Sequence, residues 1–321
     1  MGRTMVAVGA AGVLAVWLGI QCHSVAAEER LMLKAGISDS VNTVLAWYVA
    51  RDAGLFAAQG LDVEIINMNG GSRGAAELQA ERLDIMHVGL SSVIRVNRAG
   101  GDLRSIGSLG NVIRFTFFAA PAVKTAADLK GGVIGVSTFG SESDSTVTLA
   151  LQRLGYGGGM RRLEAVQSGE IKATPLNEPL ASLASAQGVN VLIDLVPEQI
   201  AWVFSSIVVR RADIAQRRDM LLRFLKATAQ GNHIALGDAG RARSVLAKEL
   251  GITDAKILDV AYDDFRAQSP LNIEILVQGA ENILAQFPGG SHKVEDYVDM
   301  SLIDALRAEA FFSGIDRKYA Q

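Results

Sequence analysis

Small polar residues recur just after predicted strands, in five clusters: Ser38, Ser40 and Asn42; Gly70, Gly71 and Ser72; Ser91 and Ser92; Ser137, Gly140, Ser141 and Ser143; and Asn177 with Glu178. Where such loops open helices, the first turn presents unpaired backbone N–H groups and a partial positive charge. Glycine lets the backbone come close to a ligand, and serine adds a short hydroxyl. The chemistry on offer is therefore capture of a small anionic or zwitterionic molecule. Taken singly, each serine reads as a helix cap and each glycine as a turn. Five clusters in succession make a shared polar cleft the better account. Asp144 and Glu178 also have the chemistry of an acid or base, although lone carboxylates at helix starts are usually caps. Facing a cleft, they would favour an amine-bearing ligand.

Other chemistries lack their residues. Asn69–Gly74 does not have the spacing of a dinucleotide fingerprint, and no Gly-Lys-Ser/Thr phosphate loop occurs. His87, His233 and His292 stand in no i, i+4 pair and near no carboxylate cluster, so no metal site is expected. His87, in a predicted strand, reads as a packed residue. No Gly-x-Ser-x-Gly elbow is present. Neither catalytic residues nor a cofactor are expected.

The elements that must position these loops alternate. Leu31–Ser38 reads as a strand, Val44–Phe56 as a helix and Leu61–Asn67 as a strand. A helix opened by Gly70-Gly71-Ser72 and running through Ala80, a strand over Asp84–Gly89 and a helix to Arg98 capped by Ser91 and Ser92 follow. This order predicts parallel strands with helices on the sheet faces. Strands around Leu103–Leu109 and Arg114–Ala120 come next, and Pro121 marks a boundary. A second set comprises strand Gly132–Ser137, helix Ser143–Leu154, strand Ile171–Leu176, helix Asn177–Gln187 and strand Val189–Leu195, and Trp202–Arg210 is another strand-like run. Beyond it the chain reads as mostly helical, with no repeat and no low-complexity linker.

The N-terminus carries one basic residue, Arg3, then a charge-free apolar run from Met5 to Ile20, then small residues ending at Ala27. That is the pattern of a secretory signal, with cleavage expected after Ala27. The run is shorter than the roughly 20 residues needed to span a bilayer, and no other segment approaches a transmembrane span. The single cysteine, Cys22, lies within the signal, so the mature chain is expected to hold no thiol. Losing Arg3 would move the formal charge from −3 to −4, which excludes a strongly basic nucleic-acid binder. About 290 mature residues correspond to roughly two domains.

The runs GISDSVNTVLAWYVARDAGLFAAQGLDVEII, NGGSRGAAELQAERLDIMHVGLSS and DLKGGVIGVSTFGSESDSTVTLALQRLGY resemble the solute-binding proteins of ABC importers. The nearest branch is the nitrate/sulfonate/taurine type, which includes binders of thiamine pyrimidine precursors. The resemblance extends from about Leu31 to about Phe312, and its strongest marker is the helix ending A-x-x-G-L-F-x-x-x-G-L-D-V-E. It implies an α/β chain with the type II periplasmic-binding fold. After a signal at 1–27, lobe one would comprise 28–118 and 208–321, and lobe two 119–207. Hinge crossings would lie near Phe115–Ala120 and Val203–Val209. Ser38, Ser40, Asn42, Gly71, Ser72, Ser91, Ser92, Ser141, Ser143, Asp144, Asn177 and Glu178 would contact the solute. A monomer in the periplasm, delivering a sulfonate-, nitrate- or taurine-like solute to an inner-membrane permease, is the implied function. The short stretch Gly155–Met160 departs from the pattern, as if one strand and a ligand loop of lobe two were missing.

A sensor docking on a membrane receptor, and an enzyme on the same fold, are the alternatives. Pyrimidine-synthesising relatives need a Cys-rich segment, which this chain lacks.

Overall fold

The computed structural model describes Gly2 and residues 30–129, 131–154 and 172–319. Apart from Gly2 the expected signal lies outside the described residues. So does the short stretch Gly155–Met160.

The first part of the chain alternates as its periodicity predicts. Strand β1 (Leu31–Ile37) leads to helices α1 (Leu45–Asp52) and α2 (Leu55–Ala58), then strand β2 (Leu61–Asn67) and helix α3 (Gly71–Gln79). Strand β3 (Ile85–Val88) and helix α4 (Leu90–Arg98) complete it. The single helix expected over Val44–Phe56 is broken at Gly54, whose φ of 67° only glycine adopts readily. Ser91 and Ser92 do not cap the third helix. It starts at Leu90 with Gly89 in the capping position, so both serines lie in its first turn.

Strands β4 (Leu103–Val112) and β5 (Thr116–Ala119), helix α5 (Glu142–Leu154), strand β6 (Ala173–Leu176), helix α6 (Leu180–Ala186) and strands β7 (Asn190–Asp194) and β8 (Ala201–Arg210) follow. Of the strand expected over Gly132–Ser137, only a single bridge forms, between Ile134 and Ala173. The rest is helical: α7 (Arg211–Gln216), α8 (Arg218–Gly237), α9 (Ala239–Leu250), α10 (Ala255–Gln268), α11 (Val277–Leu284), α12 (Ser301–Ala308) and α13 (Phe311–Tyr319). Asp238 and Asp254 cap α9 and α10 by accepting first-turn N–H bonds.

The strands form two sheets. The larger has the order β2-β1-β3-β8-β4 and the smaller β6-β5-β7. β1 runs parallel to β2 and β3, as the alternation requires, whereas β8 is antiparallel to both its neighbours. All of β8 thus belongs to the larger sheet, and β5 already belongs to the smaller. The crossings between lobes accordingly fall at Ile113–Phe115, at the edge of the first expected range, and at Leu195–Ile200, ahead of the second. There the Ile113 N–H donates to the Ile200 carbonyl (3.0 Å) and the Leu195 N–H to the Phe115 carbonyl (3.2 Å).

The larger sheet is buried on both faces, so its strands alternate between two cores. Ile85, Ile207 and Val209 face the core built with α1 and α8, where Trp47 meets Phe224 edge-on at 5.3 Å. Met86, Val88 and Val208 face the core built with α3 and α4. That second core continues through Phe115, Phe117 and Val136 into the smaller lobe. Among the described residues no helix is long and apolar enough to cross a membrane.

Candidate functional site

The carboxyl ends of β1 and β3 and the starts of α3, α4 and α5 converge on a small cavity of about 50 Å³ between the two sheets. Convergence there follows from the topology: in an open sheet with parallel strands, the loops beyond the strand ends share one edge. Five of the residues expected at the site line this cavity: Ser38, Gly71, Ser141, Ser143 and Asn177. The hydroxyls of Ser137, Ser141 and Ser143 form a triangle with sides of 2.9–3.0 Å, and Ser143 Oγ also accepts from the Ser137 N–H at 2.9 Å.

Ser91 meets the cavity-lining Glu142 through its backbone N–H, and the remaining expected residues are engaged elsewhere. Ser40 Oγ accepts from Asn67 Nδ2 at 3.0 Å. Ser72 Oγ donates to Thr138 Oγ1 (2.8 Å) and Ser92 Oγ to the Gly140 carbonyl (3.2 Å), so both serines join the lobes directly. Asp144 pairs with Arg95 at 3.2 Å and accepts from the Gly140 N–H at 2.9 Å. Asn42, fully buried, donates to the Ala261 carbonyl and to Asp264 (2.9 and 2.8 Å). Glu178 lies on the wall of a second cavity, of about 320 Å³, with Arg114, Asp194, Asp263 and Asp264. Burial raises the Glu178 carboxyl above its ordinary value, and hydrogen bonding to Ser182 partly offsets this.

The cavity also has walls that no sequence pattern marked. Glu142, the first residue of α5, projects from the smaller lobe into the larger one and is 8% exposed. Its Oε1 accepts the Ser91 N–H in the first turn of α4, and its Oε2 accepts the Trp202 indole N–H, each at 2.7 Å. Burial pushes its carboxyl up from 4.5 to about 7, against the pull of the Trp202 and Ser91 hydrogen bonds and of Arg95. Gly89, which caps α4, permits this approach: a Cβ there would overlap Cγ and Cδ of Glu142. In sequence Glu142 looks like an ordinary first-turn acid, and nothing in its spacing foretells the crossing.

His87 is packed in β3, as expected of it, 2% exposed and edge-on to Trp47 at 5.6 Å. Its Nε2 meets Ser205 Oγ, and its ring lines the cavity. Burial lowers its pKa from 6.5 to about 4, so the ring is neutral near pH 7. Among the described residues the lining thus contains two carboxylates, Asp39 and Glu142, and no lysine or arginine. Arg114 is held in the buried pair with Asp264 (2.5 Å). Among the described residues no group of three or more His, Cys, Asp or Glu side chains is arranged to hold a metal.

The model of a protein family described as NMT1/THI5 like matches residues 42–242, more than half of the chain. The chain belongs to this NMT1/THI5-like family. No curated protein matches it. Among solved structures, the NMT1/THI5-like chain is similar to a Bordetella bronchiseptica RB50 protein at 17% identity and a TM-score of 0.78, covering 91% of this chain and 99% of that one. The periplasmic aliphatic sulphonate binding protein SsuA of Escherichia coli is similar at 19% identity and a TM-score of 0.61, with 87% and 88% covered. The periplasmic nitrate-binding protein NrtA of Synechocystis PCC 6803 is similar at 14% identity and a TM-score of 0.66, with 87% and 89% covered. At these identities the likeness is one of fold. This NMT1/THI5-like chain has the two-lobed α/β periplasmic-binding fold expected of it.

Proposed function

We propose that this chain is the extracytoplasmic solute-binding component of an ABC importer, which closes its two lobes around a small polar organic solute and presents it to a permease. The observation that carries the reading is the cavity between the sheets, lined by Ser38, Gly71, Ser141, Ser143 and Asn177 at strand and helix ends. These five residues are proposed as solute contacts. Ser72, Ser92 and Asp144, which bond across the lobes, serve closure instead. Domain closure around a ligand is a standard use of a two-hinge fold. The sulphonate and nitrate proteins of similar fold support the importer role, and the secretory pattern of residues 1–27 supports a periplasmic location.

An enzyme is disfavoured by the geometry of the one hydroxyl that meets an imidazole at this cavity. Ser205 Oγ meets His87 Nε2, but Ser205 is 1% exposed and does not line the cavity, so no substrate reaches it. The test is a thermal-shift screen with sulfonates, nitrate, short amides, aromatic acids and pyrimidines. A true solute at 100 times its Kd stabilises by about 2.7 kcal/mol and so raises the melting temperature saturably. Conversion of that compound to a product, or no shift across classes, would sink the capture reading.

A further inference from the structure

The donors best suited to an anion in this cleft are already taken, by the protein itself. We propose that the Glu142 carboxylate is a built-in anion, which occupies the anion position at the start of α4, ties the lobes together and restricts the cleft to uncharged or amine-bearing solutes. This rests on the capture reading and narrows its substrate class.

Three independent observations converge. The first is the seat itself. A helix start favours negative charge because its first N–H groups are unpaired, and here the Ser91 N–H points at Glu142 Oε1 while the Trp202 indole N–H holds Oε2. Both donors belong to the larger lobe and the carboxylate to the smaller, so the contact spans the cleft. The second is the space opposite. Gly89 leaves no side chain where Glu142 lies, and any larger residue there would overlap its Cγ and Cδ. The third is what the lining leaves for a solute: the His87 ring, neutral near pH 7, lines the cavity beside Ser38 and Asn177.

Above about pH 7, where Glu142 is ionised, the charges that face it do not change this outcome. Arg95, on α4, is held by Asp144. His87, on β3, is neutral near pH 7 because of burial. Asp39, in the loop after β1, adds a second carboxylate to the lining. A sulfonate or nitrate entering the cavity meets two carboxylates and, among the described residues, no lysine or arginine on the wall. A neutral amide or an amine meets the acceptor oxygens of those carboxylates and the neutral His87 ring.

The experiment is isothermal titration calorimetry at pH 8.5 and fixed ionic strength, with sodium methanesulfonate and sodium nitrate as probes. Wild type, Glu142→Gln and Glu142→Ala are compared, their folding checked by circular dichroism. Removing the charge is expected to tighten binding of at least one anion by tenfold or more. Equal affinity in wild type and variants, including no heat in any of them, overturns the proposal. A measurement on wild type alone guards against variants that fail to fold. The Trp202 indole N–H resonance should stay in place as methanesulfonate is added, and a saturable shift of it also overturns the proposal. The two readings fail separately. If the thermal screen identifies nitrate or a small sulfonate as the wild-type solute, capture stands and the built-in anion falls. If nothing binds wild type but Glu142→Gln gains an anion, the reverse holds.

Discussion

Replacing Glu142 by Gln should change how stability depends on pH, and the size of the change follows from where the carboxyl sits. Its value is raised by burial from an ordinary 4.5 to about 7. In the window between these, the folded chain holds a proton that the unfolded chain releases. The stability contributed by the neutral carboxyl is complete below pH 4.5 and lost as pH rises through about 7. At 1.36 kcal/mol per pH unit, the loss is about 3 kcal/mol. His87 works in the opposite direction. Its value falls from 6.5 to about 4, so the stability of the neutral ring is present above 6.5 and lost as pH falls through about 4. Its magnitude is also about 3 kcal/mol. In wild type the two opposing slopes overlap and largely cancel. Glu142→Gln removes one and leaves the other. Gln also faces two N–H donors with a single acceptor, which costs stability equally at all pH values and drops out of the slope. The assay is urea unfolding at pH 4.5, 5.5, 6.5 and 7.5, followed by tryptophan fluorescence. The stability of Glu142→Gln minus that of wild type should climb by about 3 kcal/mol across this range. A difference that stays constant within about 0.5 kcal/mol would refute the claim that Glu142 is a desolvated, titrating carboxylate.

Two further outcomes test the packing around the site. Gly89→Ala should destabilise by about 1–3 kcal/mol, because the new methyl overlaps the Glu142 side chain. In a Glu142→Ala background that cost should shrink by at least about 0.5 kcal/mol, and additive costs in urea unfolding would place Glu142 elsewhere. Asp264→Ala should cost about 3–5 kcal/mol, since it leaves the Arg114 guanidinium buried and unpaired; a loss below about 1 kcal/mol in the same assay would show that water reaches Arg114.

Much of the architecture was legible from local pattern. β2 spans Leu61–Asn67 and the chain beyond β8 is mostly helical, as the alternating and helical periodicities predict, because the larger sheet and its helices bury apolar faces of the matching period. Less legible was which sheet a strand joins. Trp202–Arg210 reads as a strand in isolation, yet only pairing with β3 and β4 places it in the larger sheet. That pairing moves the crossings to Ile113–Phe115 and Leu195–Ile200. A hydrophobic period reports that a strand is buried and not by which neighbours.

The site divides along the same line. Composition and spacing determined that polar loops follow the strands, that no metal or nucleotide motif is present in the chain, and that the N-terminus has a secretory pattern. Those features depend only on nearest neighbours in the chain. Tertiary structure alone decided which polar side chains face the cavity. Asn42 and Glu178 turn toward Asp264 and the second cavity, Ser72 and Ser92 bond across the lobes, and Glu142 crosses to Ser91 and Trp202. Each of these contacts joins residues at least 48 positions apart in the chain. Whether a carboxylate is a solvated helix-start acid or a buried anion on the opposite lobe depends on desolvation and on donors brought from elsewhere, and neither is a property of the residues beside it.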